Sequence, residues 1–163
     1  MLTLKFGKRL REAFEKPGGK ELRAWINNAT NAQYSALTYS GGAAWRQALL
    51  AAAPPDFQGA NAQAFRNLVA SYDDDGLHAL MTNLGGHCFE TLFEAFDHAA
   101  ASDKRTCFLA YTVKGHGLNL AGHRDNHGLY LAPHQVRPRP RPPPSALPSA
   151  PAAARRTGPT ALR

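Results

Sequence analysis

The segment from Cys107 to Gly128 constrains the fold of this chain more than any other. Its first part, Cys107–Val113, is apolar and rich in strand-forming residues, and it leads directly into the loop Lys114-Gly115-His116-Gly117. A continuous apolar strand is typical of a parallel sheet buried on both faces, where ligands bind beyond the carboxyl ends of the strands. Imidazoles suit proton transfer or anion contact near neutral pH, and three histidines follow within a dozen residues: His116, His123 and His127. The alternative is a solvated loop that carries these histidines without using them.

Apolar residues upstream of this segment recur at the spacing of amphipathic helices. Residues 43–53 are also compatible with a helix, which would end at Pro54-Pro55. Turns are predicted at residues 73–76 and at Gly85-Gly86. A glycine turn, a helix and a buried strand in that order form the second half of a βαβ unit, so the predicted fold class is α/β. The predicted helical stripes are Phe6, Leu10, Ala13 and Phe14; Leu22, Trp25, Ile26 and Ala29; Phe65, Leu68, Val69 and Tyr72; and Phe89, Leu92, Phe93, Phe96 and Ala100.

The last 27 residues, 137–163, differ sharply in composition from the rest. They contain eight prolines and six arginines, with no aromatic residue and no periodic apolar pattern. A segment of this kind does not bury a core, so we predict a disordered tail after a folded part that spans residues 1–136. Arginine-flanked proline runs can dock in aromatic-lined grooves. The favoured interpretation is instead a GC-rich stretch translated out of frame.

Charge and composition exclude several classes of protein. Six of the 19 basic residues belong to the tail, which has no acidic residue, so 13 basic residues face 12 acidic ones in the folded part. A near-neutral body does not predict nucleic-acid binding. The apolar runs are far too short to span a membrane, and the N-terminus lacks the apolar stretch of a secretory signal. Two cysteines make no disulfide framework, and we expect a cytoplasmic protein.

Five collinear segments resemble one enzyme family. Residues 111–118 and 121–127, YTVKGHGL and AGHRDNH, are similar to the YT[IV]KG[FY]GL and AGHKDNH elements of thiamine-diphosphate enzymes of the transketolase superfamily. Residues 80–87, LMTNLGGH, match the same element of the branch that contains the homodimeric-type pyruvate dehydrogenase component. Residues 31–38 and 41–46, NAQYSALT and GGAAWR, resemble its PN.LYSALTFQGGAAWR. Residues 5–10 and 16–19, KFGKRL and KPGG, resemble its YGKRL and RPGG.

The resemblance implies a fold and an activity. The expected fold is an incomplete, doubly wound thiamine-diphosphate-binding domain, of which this chain would hold the C-terminal part. The implied enzyme decarboxylates a 2-oxo acid, pyruvate in the first instance, and passes the acyl unit to a lipoyl carrier. The chain alone is expected to be inactive, because it would be a fragment. Two alternatives stay open: two-carbon transfer between sugar phosphates, as in transketolase, and a non-catalytic interaction fragment whose proline-rich tail binds a partner.

The same resemblance assigns the candidate site residues. His127 aligns with a histidine that approaches the diphosphate and the reacting centre, so it is the predicted catalytic residue. Lys114, Gly115 and His127 are the predicted cofactor-binding residues. A neutral imidazole at position 127 could donate to phosphate or transfer protons to developing oxyanions. The chain reads DNHGLYL where relatives read DNHAGLM, and this changes the sequence directly after the histidine.

The cofactor set implied by the family is only partly matched. Intact members bind thiamine diphosphate with Mg²⁺ held by a Gly-Asp-Gly motif, and that motif does not occur here. We therefore predict no metal ligands in this chain; the alternative is a zinc site formed by His123 and His127 with Cys107 or His116. Cys88 stands where relatives carry an aspartate, which weakens a helix cap, and His87 is interpreted as a structural turn residue.

The expected partners follow from the resemblance too. They are a small-molecule substrate (a 2-oxo acid or a sugar phosphate), a second subunit in the homodimer of the intact family, and a possible lipoyl-bearing acyltransferase. Neither nucleic acid nor membrane is expected as a partner.

Overall fold

A computed structural model describes residues 1–51, 59–128 and 130 of the chain. All of them belong to the compact unit Met1–Tyr130. The predicted boundary at residue 136, the predicted tail 137–163 and the predicted helix end at Pro54-Pro55 lie outside the described residues. The described elements are, in chain order, β1 Leu2–Leu4, α1 Lys8–Phe14, α2 Gly19–Asn28, α3 Asn31–Ser40, α4 Gly42–Ala51, α5 Ala60–Ala70, α6 Asp74–Met81, α7 Phe89–Ala100 and β2 Phe108–Ala110.

Helices build most of the hydrophobic core. The stripes predicted for α2 and α5 are confirmed, since their members from Leu22 to Ile26 and from Phe65 to Val69 are buried. Trp45 of α4 is fully buried at the centre, where its ring lies 5.8 Å from that of Trp25 and 4.8 Å from that of Tyr34. Edge-to-face packing of large aromatic rings adds specific geometry to the burial of apolar area.

The predicted turn at residues 73–76 is wrong, because a helix begins there. The side chain of Asp73 accepts a hydrogen bond from the Gly76 N–H at 2.7 Å and caps α6, whose first turn holds two more acidic residues. Carboxylates at a helix N-terminus satisfy free N–H groups and complement the helix dipole. Aspartates before a glycine are common to turns and to helix starts, and the apolar residues Leu77, Leu80 and Met81 that follow are buried on the core side.

The two strands form a parallel sheet in which Leu2 pairs with Phe108 and Leu4 with Ala110. A mixed α/β architecture is therefore confirmed, and it is mostly helical. The strand predicted for Cys107–Val113 is only three residues long, and the prediction that it is buried is wrong. Leu109 is 48% exposed, because the described part of the chain places only one strand beside β2.

The α7 helix forms where its apolar stripe predicts, yet this stripe faces outward. Phe89, Phe93 and Phe96 are 71%, 63% and 55% exposed. The side of α7 that faces the body carries polar groups, where Arg11 donates to Thr91 at 3.3 Å and to Glu94 at 2.6 Å. No helix in the described ranges has the length and apolar character needed to cross a bilayer.

Candidate functional site

The loop from Val113 to Gly128 leaves the carboxyl end of β2 and folds back against α3. Val113 is buried in the core, and the chain then turns through glycines with left-handed backbone angles, among them Gly122 at φ +79°. A Cβ atom at position 122 would overlap the carbonyl oxygen of Ser35 and lie 3.1 Å from Thr38 Cβ. Glycine therefore lets this loop lie directly on the backbone of α3.

The structure brings together the three residues predicted to bind the cofactor. The Lys114 ammonium donates to the main-chain oxygen of His127 at 3.2 Å, and the Asn126 side chain donates to the main-chain oxygen of Lys114 at 2.8 Å. Gly115, at φ +73°, packs on Asn126 so closely that a Cβ would stand 2.5 Å from its amide nitrogen. The start and the end of the loop are thus tied to each other.

A cleft of about 400 Å³ opens between this loop and the beginning of α3. The predicted residues Lys114 and His127 line it, together with Arg124 from the short 3₁₀ helix Arg124–His127. All three side chains are exposed. An ammonium, a guanidinium and an imidazole around one cleft suit an anionic ligand, because charge-assisted hydrogen bonds to phosphate or carboxylate oxygens are stronger than neutral ones.

Asp125 is the nearest acidic residue of the loop. Its carboxylate lies 3.6 Å from Arg124 and 3.8 Å from His123. Part of the positive charge is therefore balanced locally, although both contacts are solvent-exposed on at least one side and weak.

His123 has a structural role in the loop. Its Nδ1 accepts a hydrogen bond from the Asp125 N–H at 3.2 Å and so caps the 3₁₀ helix, and its ring meets Tyr39 of α3 at 4.6 Å. Within the described ranges, which include every histidine and cysteine weighed for zinc, no three ligating side chains converge on a point.

His87 connects the turn before α7 to the start of the loop. Its Nε2 accepts a hydrogen bond from the Val113 N–H at 2.7 Å, and its ring stacks on that of His116 with centroids 3.8 Å apart. Burial lowers the pKa of His87 below its usual value, and the neighbouring His116 lowers it further. Accepting a hydrogen bond at Nε2 requires the neutral imidazole, so the geometry and the pKa agree on a structural role.

Cys88 occupies the cap position of α7 without capping it. Its side chain accepts no hydrogen bond from a backbone N–H of the first turn, and its thiol donates to the Glu90 carboxylate at 3.3 Å. The buried sulfur instead accepts from the Lys8 N–H at 3.3 Å, at the beginning of α1. The weakened cap predicted for this position agrees with that geometry.

Sequence reasoning missed the contribution of α3 to the site. Its first turn forms one wall of the cleft through Asn31, Ala32 and Ser35. Thr30, whose side chain accepts from the Gln33 N–H at 3.2 Å, was the available signal for a helix start. Arg124 was not predicted as a site residue, because nothing local indicates that it borders the same cleft as Lys114.

Comparison of the chain with protein-family models, with curated proteins and with solved structures found no significant match.

Proposed function

We propose that this chain is the diphosphate-binding part of a thiamine-diphosphate-dependent 2-oxo acid dehydrogenase component, acting in the cytoplasm. The observation that carries the proposal is the position of Lys114 and His127. Both lie in the loop that follows a parallel strand, both border one cleft, and both belong to the segment that resembles the family. Open α/β sheets bind their ligands at this end of the strands.

The charges around the cleft fit the diphosphate group. Lys114, Arg124 and His127 are exposed toward a space of about 400 Å³, and none of them is neutralised by a buried carboxylate among the described residues. Lys114 would balance phosphate charge, and Arg124 could donate two parallel hydrogen bonds to phosphate oxygens. The neutral imidazole of His127 would donate one N–H hydrogen bond to a phosphate oxygen and orient the group.

The residues do not fit the magnesium ion that accompanies this cofactor. Mg²⁺ beside a phosphate group is usually held by one or two carboxylates together with phosphate oxygens and waters, and the described residues that line the cleft include no Asp or Glu. The sequence also lacks the Gly-Asp-Gly element. The bound cofactor supplies the carbanion chemistry in such enzymes, whereas the protein supplies placement and electrostatics. We therefore assign binding and orientation to this chain and derive no chemical step.

The proposed fold is the corresponding part of a doubly wound domain, which in the intact enzyme would be completed by further strands and a second subunit. The substrate would be a 2-oxo acid, and the acyl acceptor a lipoyl-bearing acyltransferase.

Titration with thiamine diphosphate, followed by NMR of the backbone amides, tests the proposal. We expect weak binding, in the millimolar range, that perturbs residues 114–128 and is the same with and without Mg²⁺. Lys114→Ala should weaken binding about tenfold, since it removes one charge-assisted contact. Lys20→Ala, which removes an exposed lysine from α2, is the matched control and should change nothing.

Two results would count against this assignment. If millimolar cofactor leaves residues 114–128 unperturbed, the loop does not bind the diphosphate. Micromolar binding that depends on Mg²⁺ would show that a metal site exists after all. In a full-length enzyme that contains this segment, His127→Ala should lower turnover by about 10²-fold with little loss of stability, because the side chain is exposed.

A further inference from the structure

The sheet has an open edge at β2. The Leu2 N–H donates to the Cys107 carbonyl at 2.9 Å, and the Tyr111 N–H donates to the Leu4 carbonyl at 3.0 Å. These two bonds show that every second residue of this segment directs its backbone N–H and C=O groups toward β1. The backbone groups of Phe108 and Ala110 therefore point to the opposite edge, where the described part of the chain has no further strand.

Apolar side chains border this edge on both faces of the sheet. On one face, the Phe96 ring of α7 lies 5.1 Å from that of Phe108, and Phe89 and Phe93 continue the exposed stripe along the helix. On the other face, Leu109 and Tyr111 are exposed beside the cleft that α2 and α3 form.

Edge strands that remain uncovered are normally protected. Charged residues, prolines or bulges usually prevent pairing with another chain. The segment Phe108–Val113 has no charged residue and no proline, and its backbone is regular enough to pair with β1. Its sequence is that of an inner strand, which has a neighbour on each side.

We propose that a second copy of this chain covers the edge, with the two β2 strands pairing antiparallel about a twofold axis perpendicular to the sheet. Such an axis places equivalent faces of the two sheets on the same side of the dimer. The phenylalanine stripe of α7 therefore meets the same stripe of the partner copy. On the opposite face, Leu109 meets its counterpart with Tyr111 diagonal to it, and the open backbone groups of Phe108 and Ala110 gain hydrogen-bond partners.

The exposed apolar area is sufficient for such a dimer. A large aromatic side chain has roughly 200 Å² to bury, so the exposed parts of Phe89, Phe93 and Phe96 amount to roughly 400 Å² per copy. With Leu109 and Tyr111, both copies together would remove roughly 1,000 Å² from water, which is where specific interfaces begin. The dimer is thus of the weak, reversible class. None of these side chains lines the cleft around Lys114 and His127, and the inference does not rest on the proposed function.

Sedimentation velocity of the whole chain over a wide concentration range, combined with amide hydrogen exchange, tests the proposal. We expect a monomer–dimer equilibrium, and the amides of Phe108 and Ala110 should exchange more slowly as the dimer forms. Phe93→Glu should raise the dissociation constant about 100-fold or more, because it places a charge at the centre of the interface. Leu50→Glu, at a 43% exposed leucine of α4, is the matched control and should leave the equilibrium unchanged.

Phe93 is exposed in the single chain, so its substitution should leave the melting temperature of the monomer intact. Phe89→Glu, at the most exposed position of the stripe, provides a second variant with the same expected effect. A monomer at every concentration would overturn the proposal, whether or not the two amides are protected. A dimer that both glutamate variants leave intact would overturn it as well, and so would a dimer whose formation does not slow exchange at Phe108 and Ala110.

Discussion

Two glycines of the candidate loop offer a test of how the loop is held in place. Gly117 and Gly122 both have left-handed backbone angles, φ +83° and +79°. Nothing lies within 4 Å of a Cβ built at position 117, whereas a Cβ at position 122 would overlap the carbonyl oxygen of Ser35 in α3. Substituting alanine at each position therefore compares backbone strain alone with backbone strain plus a collision.

The expected magnitudes follow from these two terms. An alanine in the left-handed region costs about 1–2 kcal/mol, and the lower entropy of the unfolded chain offsets about 0.4–1 kcal/mol of this. Gly117→Ala should therefore destabilise by about 1 kcal/mol. Gly122→Ala should lose roughly another 1–3 kcal/mol, the usual range for overpacking against a rigid neighbour. At about 3 °C per kcal/mol for a domain of this size, it should melt roughly 3–9 °C below Gly117→Ala.

Thermal unfolding by circular dichroism measures the difference, and amide hydrogen exchange locates it. In Gly122→Ala, exchange should increase across residues 113–128, because the loop has to leave α3 to relieve the collision. Equal melting temperatures and equal exchange in the two variants would refute the inference that Gly122 seats the loop on α3.

Three further predictions concern other parts of the molecule. Because the pKa of His87 is lowered in the folded state, the unfolded state binds more protons, so its contribution to stability is complete above about pH 6.5 and is lost as the pH falls below it. His87→Gln retains a hydrogen-bond acceptor but does not titrate, so its melting temperature should fall less between pH 7 and pH 5 than that of the wild type. An identical fall in both proteins would contradict the assignment. Arg46→Met should lower the free energy of unfolding in urea by about 2–3 kcal/mol, since it removes three hydrogen bonds, two of them to carbonyl groups near the end of α5. Arg11→Met breaks an exposed ion pair and should lower it by less than about 1 kcal/mol. Similar decreases in both variants would be inconsistent with this reasoning. Deleting residues 137–163 should leave the melting temperature unchanged, whereas a fall of several degrees would show that this segment packs on the rest of the chain.

Local sequence was sufficient to predict the features that depend on neighbouring residues. The spacing of Leu22, Trp25 and Ile26 determines one face of α2, because residues three and four apart lie on the same side of a helix. Lys114 and His127 were predicted as site residues because both belong to segments that resemble the family. The Asp73 cap of α6 was present in the sequence too, but the aspartates fit a turn equally well until buried contacts selected the helix.

Tertiary structure alone decided which apolar residues have a partner. The apolar side chains of Leu109 and Phe93 predict burial, yet they are 48% and 63% exposed, and no other described strand lies beside the outer edge of β2. The part that α3 takes in the cleft, and the need for glycine at position 122, depend on contacts between segments more than 80 residues apart in sequence. Periodicity records the preference of a side chain for an apolar environment. Whether that environment exists is set by which distant segments the fold brings together, and no local pattern contains that information.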